Sequence, residues 1–330
     1  MNKTDHVPYD RRWADKVIEQ LEARQLPWVK PWNPSMADGS RPFNPISGNF
    51  YRGTNFLMLG MQGYEDPRWM TLKQANELGA QIRKGQHGTV ISRGIYDKEE
   101  WSEEKQAKVK VKLDKPQYMH YLVFNAEQIA GLPAYKKPEI TWEPCTRADE
   151  MMKSFGVPVE HRAGDRAFYS PASDRIVMPA PQQFKSLENY YSVLLHEACH
   201  ATGHPSRLAR DLSGTFGSPS YAEEELRAEI GAWMTCAEFG LATEGVDENH
   251  TAYIQSWIKA LKDDPKVIFR AAADAEKAMR HLMTHDHMLF KEAQQEARKI
   301  TPPEHVAQRE PQRSRQRERT REPAQAGASR

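Results

Sequence analysis

Cysteine is scarce: Cys145, Cys199 and Cys236 are the only three in 330 residues. They are too few and too scattered for a disulfide framework, and an odd number leaves one thiol over, so a reducing cytosol suits the chain. Neither sign of charge is in excess. With 46 Lys+Arg against 45 Asp+Glu the net charge is +1, which excludes a histone-like binder and confines any nucleic-acid surface to local patches. Long apolar runs are missing too. No window approaches the roughly 18 residues of a membrane span, and Met1 to Trp13 hold no signal-peptide core, so a cytoplasmic protein with no membrane partner is expected.

What the chain does have is clear punctuation, and its length favours two folded units plus extensions. Trp13, Val17, Ile18 and Leu21 recur at helical spacing within Asp10 to Leu26, and Pro27 stops the pattern. Pro, Gly, Asn and aromatic residues then crowd Pro27 to Gly48, the composition of an ordered loop with aromatic anchors. A short helix is expected from Asn55 to Met61, and Thr71 with Gln74 forms a capping box for another, closed at Gly79. Beyond Gly85 the period falls to two, giving strands at Thr89 to Ile91, Val109 to Leu113 and Tyr118 to Phe124.

Residues 1–130 therefore read as an α+β unit, and the Pro-rich stretch 131–146 as a connector. The second unit, 147–300, opens with a helix to Phe155. A hairpin follows, pairing Ala167 to Tyr169 with Arg175 to Met178, and its second strand is expected at a sheet edge. Helices dominate from there: Ser186 to Thr202, Tyr221 to Phe239, Asn249 to Lys262 and Pro265 to Ile300. Residues 301–330 hold almost nothing to bury, so a disordered tail is expected.

One pattern in the second unit carries chemistry. His196 and His200 are four apart on an expected helix and project from one face, where two imidazoles can share a divalent metal. Glu197 lies about 100° round the helix from His196, placed to handle the proton of water at that metal without being used as a ligand. With 12 histidines and 45 acidic residues, random placement gives His-Glu-x-x-His in at most about 6% of such chains, so the pattern needs a third ligand. The helix Tyr221 to Glu229 offers one. Glu225 and Glu229 share a face, one to bind metal and the other to orient a histidine through its remaining ring N–H. Glu225 is taken as the ligand, although spacing alone does not separate the two. Zinc is the expected metal, with manganese as the alternative. Cys199 reads as a small buried thiol, and His204 and Tyr221 as oxyanion donors or as packing groups.

In the first unit Trp28, Trp32, Phe43, Phe50, Tyr51 and Trp69 are interleaved with Lys30, Arg41, Arg52, Arg68 and Lys73. Single-stranded nucleic-acid sites use this mixture for stacking and phosphate neutralisation, and aromatic anchors under long loops use it as well. Lys108, Lys110 and Lys112 alternate on one strand, suited either to tracking phosphates or to guarding an edge.

These segments resemble a known family. Leu26-Pro-Trp-Val-Lys-Pro-Trp, Pro42-Phe-Asn-Pro-Ile-Ser-Gly, Tyr51-Arg-Gly-Thr-Asn, Trp69-Met-Thr-Leu-Lys-Gln-Ala and Arg83-Lys-Gly are similar to the N-terminal domain of the ArdC antirestriction family, found also at the head of TraC-type plasmid primases. His196-Glu-Ala-Cys-His-Ala-Thr-Gly-His and Tyr221-Ala-Glu-Glu-Glu-Leu-Arg-Ala-Glu are similar to its zincin-like domain. The resemblance covers about Tyr9 to His285 and implies an α+β single-stranded-DNA-binding domain joined to a mainly helical zincin-like metallopeptidase domain with a small sheet. It also implies a role in conjugation, protecting incoming DNA from restriction in the cytoplasm of a donor or recipient cell. The DNA contacts it implies fall on Trp28, Trp32, Arg52, Asn55, Trp69, Lys73, Gln74, Arg83 and Lys84. A peptidase reading adds a protein partner, such as a restriction component. A DNA-coating protein with a structural or regulatory metal, and a DNA-dependent metalloprotease, stay open beside it.

Overall fold

The computed structural model describes residues 7–27, 41–136, 144–215, 217–241 and 248–286. Trp28, Trp32, the tail 301–330 and residues 137–143 of the connector lie outside these. The chain opens with α1 (Tyr9–Glu22), whose stripe of Trp13, Ala14, Val17, Ile18 and Leu21 is buried. A helix apolar on one face needs a partner, and α1 finds it in α7 (Glu248–Asp263), far along the chain. Next, α2 (Thr54–Gly60) packs on α8 (Val267–Met283), with the Phe56 ring 4.8 Å from that of Trp233 in α6 (Pro219–Phe239). Two helices of the first sequence unit thus join the largest apolar cluster, which runs from Val17 and Phe56 through Leu195 and Met234 to Leu282.

After α2 come β1 (Trp69–Thr71), α3 (Leu72–Glu77), β2 (Gln81–Ile82), β3 (Thr89–Ser102), β4 (Ala107–Asn125) and β5 (Ile129–Ala130). The capping box at α3 forms as its residues dictate: the Gln74 N–H donates to Thr71 Oγ1 at 3.3 Å, and the Thr71 N–H donates back to Gln74 Oε1 at 3.0 Å. One antiparallel sheet has the order β1-β4-β3, and β2 pairs with β5.

The three short strands expected in this region are instead two long ones of 14 and 19 residues, paired as a ribbon with a register shift between Ile95 and Asp97. Charged residues at 97–100 and Pro116 interrupt the apolar alternation, so it is the pairing that shows the strands to be continuous. Asp97 lies opposite Lys112, Glu99 opposite Lys110 and Trp101 opposite Lys108. Opposed charges contribute about 0.2–1 kcal/mol per pair. Two of the three alternating lysines therefore face carboxylates rather than forming a bare track for phosphates.

The second half begins with α4 (Pro144–Phe155), then β6 (Val159–His161), β7 (Phe168–Ser170) and β8 (Arg175–Met178) in a sheet of order β6-β8-β7. The expected hairpin is there, but its second strand is not an edge. β8 runs parallel to β6 and antiparallel to β7, which explains the burial of Ile176, Val177 and Met178. The extra neighbour β6 spans only three residues, too short to show a period. α5 (Leu187–Ala201) packs on β7 and β8 and lies beside α6. Among the described residues no helix is long and apolar enough to cross a membrane.

Candidate metal centre

Ser186 starts α5 by accepting a hydrogen bond from the Asn189 N–H at 3.2 Å, and Ser218 does the same for α6 with the Tyr221 N–H at 3.2 Å. The two helices approach closely at Gly231, where a Cβ would sit 2.9 Å from Cys199 Sγ. Cys199 is consequently a packing residue, with burial pushing its thiol up to about 12. This contact lines the acidic stretch of α6 against the last two turns of α5.

The Nε2 atoms of His196 and His200 are 3.2 Å apart. Glu225 faces both, with Oε2 3.5 Å from His196 Nε2 and Oε1 3.7 Å from His200 Nε2. Tetrahedral zinc bonds nitrogen and oxygen at about 2.0–2.2 Å, which places neighbouring ligand atoms about 3.3–3.5 Å from each other. The three side chains fit one divalent cation on this ground and on their donor chemistry; their ligand atoms all lie within 4.8 Å of one another.

The opposite ring nitrogens are held as well. His196 Nδ1 lies 3.2 Å from Glu229 Oε2, and His200 Nδ1 lies 3.2 Å from Glu224 Oε1. Glu225 thus sits on the Nε2 side and Glu229 behind His196. Glu224 is the residue sequence reasoning missed. It partners the second histidine and is itself gripped by Arg210, with Nη2 2.7 Å from Oε1. The available signal was the second imidazole's need for an Nδ1 partner, which the Glu225–Glu229 pair left unmet.

Charge follows the geometry. Burial works against a proton on His200, but the Glu224 and Glu225 carboxylates outweigh it and bring the group up to about 9. His196 rises well above its ordinary value in the same way, against burial, through Glu225 and Glu229. Burial alone would raise Glu224, but His200 and Arg210 hold it down at about 2, and Glu225 is held low by the two histidines. In the absence of metal, therefore, the surrounding carboxylates favour a proton on the histidine pair. Glu197 is only 7% exposed, and its charge is felt at His196 and at Tyr253 of α7. The Tyr221 and Tyr253 hydroxyls are 3.3 Å apart, and burial raises both phenols, which keep their protons. His204 is occupied locally, its Nδ1 accepting from the Ser206 N–H at 3.2 Å.

Residues 8–124 match the family described as the N-terminal domain of anti-restriction factor ArdC, and residues 146–274 match that described as zincin-like metallopeptidase. The metal-free crystal structure of the antirestriction ArdC protein from plasmid R388 is 36% identical, with a TM-score of 0.69 over 85% of this chain and 98% of its own. The chain belongs to the ArdC antirestriction family. The same R388 protein has a Mn(II)-bound structure, with a TM-score of 0.68 over 86% of this chain. A DNA primase TraC of Escherichia coli is 46% identical over 282 residues, 82% of this chain but 26% of the primase. The chain therefore spans about a quarter of that curated relative's length.

The structure distributes the DNA candidates of this ArdC-type first half unevenly. Trp28 and Trp32 lie outside the described residues. Trp69 is 2% exposed and packs with Leu59, Ile91 and Val123, its ring edge-on to Tyr64 at 5.4 Å, so it cannot stack on a base without leaving the core. The Asn55 amide bonds both the carbonyl and the N–H of Ser92, at 2.7 and 3.0 Å, and so closes the outer edge of β3. Gln74 Oε1 is taken up by Thr71 and by Asn44 Nδ2 at 3.1 Å. Arg52, Lys73, Arg83 and Lys84 are exposed. The ribbon also exposes Tyr96, Trp101 and Tyr118, of which only Tyr118 fell within an expected strand.

Proposed function

We propose that this ArdC-family protein binds single-stranded DNA during conjugation, protects it from restriction, and carries a metal-dependent peptidase centre at His196, Glu197, His200 and Glu225. The convergence of two imidazoles and one carboxylate on a common point, inside a zincin-like framework, carries the reading. Zinc fits the nitrogen-rich donor set, and manganese, bound by the R388 relative, is the alternative. What a divalent cation supplies at such a place is Lewis acidity toward a peptide carbonyl and toward water.

The chain's own residues supply the rest. Glu197, one residue past a ligand and clear of the ligand set, accepts the proton of the attacking water and returns it to the leaving amine. Glu229 and Glu224 keep the two imidazole rings oriented through their Nδ1–H groups. Tyr253, protonated at neutral pH, presents a phenol donor to the oxygen of a polarised carbonyl, with the Tyr221 hydroxyl 3.3 Å from it and beside Glu225. The substrate is a protein, and a restriction component matches the family's task. Single strands are held by exposed cations such as Arg52, Lys73, Arg83 and Lys84, giving an affinity that falls with salt.

Glu197→Gln tests the enzymatic part. The variant should keep metal, fold and DNA affinity while cleavage of a candidate protein substrate falls roughly 100- to 10,000-fold. Full protection of transferred DNA by a metal-loaded Glu197→Gln protein would separate antirestriction from proteolysis and leave a DNA-coating role.

A further inference from the structure

Arg210, in the segment between α5 and α6, spends its guanidinium in one small volume behind the metal centre. Its Nη2 donates to Glu224 Oε1 and to the Cys199 carbonyl, both at 2.7 Å, its Nε to Glu224 Oε2 at 3.2 Å, and its Nη1 to Thr202 Oγ1 at 2.8 Å. Thr202 in turn donates its hydroxyl to the same Cys199 carbonyl at 2.6 Å. The loop is seated by its backbone as well: the Leu208 N–H donates to the Thr202 carbonyl and the Arg210 N–H to the Gly203 carbonyl, each at 2.9 Å. Gly203 leaves room for this approach. A Cβ there would lie 2.9 Å from Leu212 Cδ2, 3.0 Å from the His200 carbonyl and 3.1 Å from Arg210 Nη2. Thr202 and Gly203, which directly follow the histidine helix, thus form a cradle for one arginine.

We infer that Arg210 is a positioning residue for the metal centre, acting through Glu224 on His200. The inference rests on the reading of His196, His200 and Glu225 as metal ligands. Glu224 is 6% exposed, and a buried carboxylate needs a cation or several donors to stay ionised. A guanidinium fork engages both of its oxygens and fixes the plane of the group, leaving Oε1 also directed at His200 Nδ1. Arg227 Nη1 also lies 3.5 Å from Glu224 Oε2, but that side chain is engaged by Glu223 and Asp274. Arg210 therefore fixes Glu224, Glu224 fixes the ring of His200, and the ring presents Nε2 to the metal. The same guanidinium ties the final turn of α5 to α6, so the two helices that supply the ligands are joined behind the site by one side chain.

The test is an equilibrium titration of the full chain with Zn(II) and with Mn(II) against a competing chelator, alongside thermal melts of the metal-free proteins. Arg210→Met should weaken metal binding about 10- to 100-fold, the range seen when groups that orient ligands are lost. Arg210→Lys, which keeps charge but not the fork, should recover only part of that loss. Thr202→Val removes one acceptor of Arg210 without touching Glu224, and should weaken binding severalfold in a protein that folds. Glu224→Gln should weaken binding as Arg210→Met does, and the double variant should be no weaker than Glu224→Gln alone, because both changes cut one chain of contacts. Arg210→Met and Thr202→Val proteins that melt earlier yet bind both metals within twofold of the unaltered protein would overturn the inference and reduce Arg210 to a staple of the loop. If the unaltered protein bound neither metal, the ligand assignment itself would fail, a different result from the same titration.

Discussion

Metal binding should be strongly coupled to protons. With carboxylates behind and beside them, His200 is brought up to about 9 and His196 is raised well above the usual histidine range, and the pair, whose Nε2 atoms face each other at 3.2 Å, holds at least one excess proton at neutral pH. A metal takes only neutral imidazole, and the excess proton must leave first. For His200 at pH 7 the displacement of a proton held at about 9 lowers apparent affinity about 100-fold. Glu225, already ionised, contributes no proton in this range. Apparent affinity should therefore rise by at least about 10-fold per pH unit between pH 6 and 8, at least one proton leaving per metal bound. Calorimetry at pH 7 in buffers of different ionisation enthalpy counts those protons directly. A count near zero would refute the reasoning, because it would mean that the histidines are neutral before metal arrives.

The same shifts set the stability of the metal-free protein. A folded pKa above the unfolded value stabilises fully below about pH 6.5, the unfolded histidine value, so His200 alone contributes on the order of 3 kcal/mol there and loses it as pH rises through about 9; denaturant midpoints that are flat from pH 6 to 10 in chelator would contradict this. Trp69→Ala should cost about 3–5 kcal/mol in urea unfolding, because it empties a core position; a stable variant with lost DNA affinity would return Trp69 to the interface. Asn55→Ala, which leaves the Ser92 backbone groups unpaired at the β3 edge, should cost about 1–3 kcal/mol, read by the same melts. Arg147 and Asp286 form an ion pair with side chains 3% and 2% exposed, so Arg147→Met should cost about 3–5 kcal/mol by breaking a buried ion pair.

Features written within one turn of helix were legible from the residues alone. The His196–His200 spacing, the Thr71–Gln74 box and the helix start at Ser186 depend on neighbours three or four positions apart, and each is found where the pattern put it. Features that depend on distant partners were not. The outer ribbon is held by pairs such as Asp97 with Lys112, whose charges look like loop in a single strand. Arg175 to Met178 became a central strand because β6, fifteen or so residues upstream, pairs with it. Glu224 and Arg210 are fourteen positions apart in the chain, so nothing local marks either as serving His200. Trp69 shows the limit of composition: aromatic and basic residues together look alike whether they await a base or fill a core, and only its burial decides.

The claim on which the proposed chemistry depends is that His196, His200 and Glu225 hold one metal ion. Anomalous diffraction from crystals of the full chain grown with Zn(II), and separately with Mn(II), tests it most directly. One peak is expected, about 2.0–2.3 Å from both Nε2 atoms and a Glu225 oxygen, with Glu229 and Glu224 still on the Nδ1 side. A peak bound by Glu229 in place of Glu225, or no peak between the two histidines at saturating metal, would contradict it.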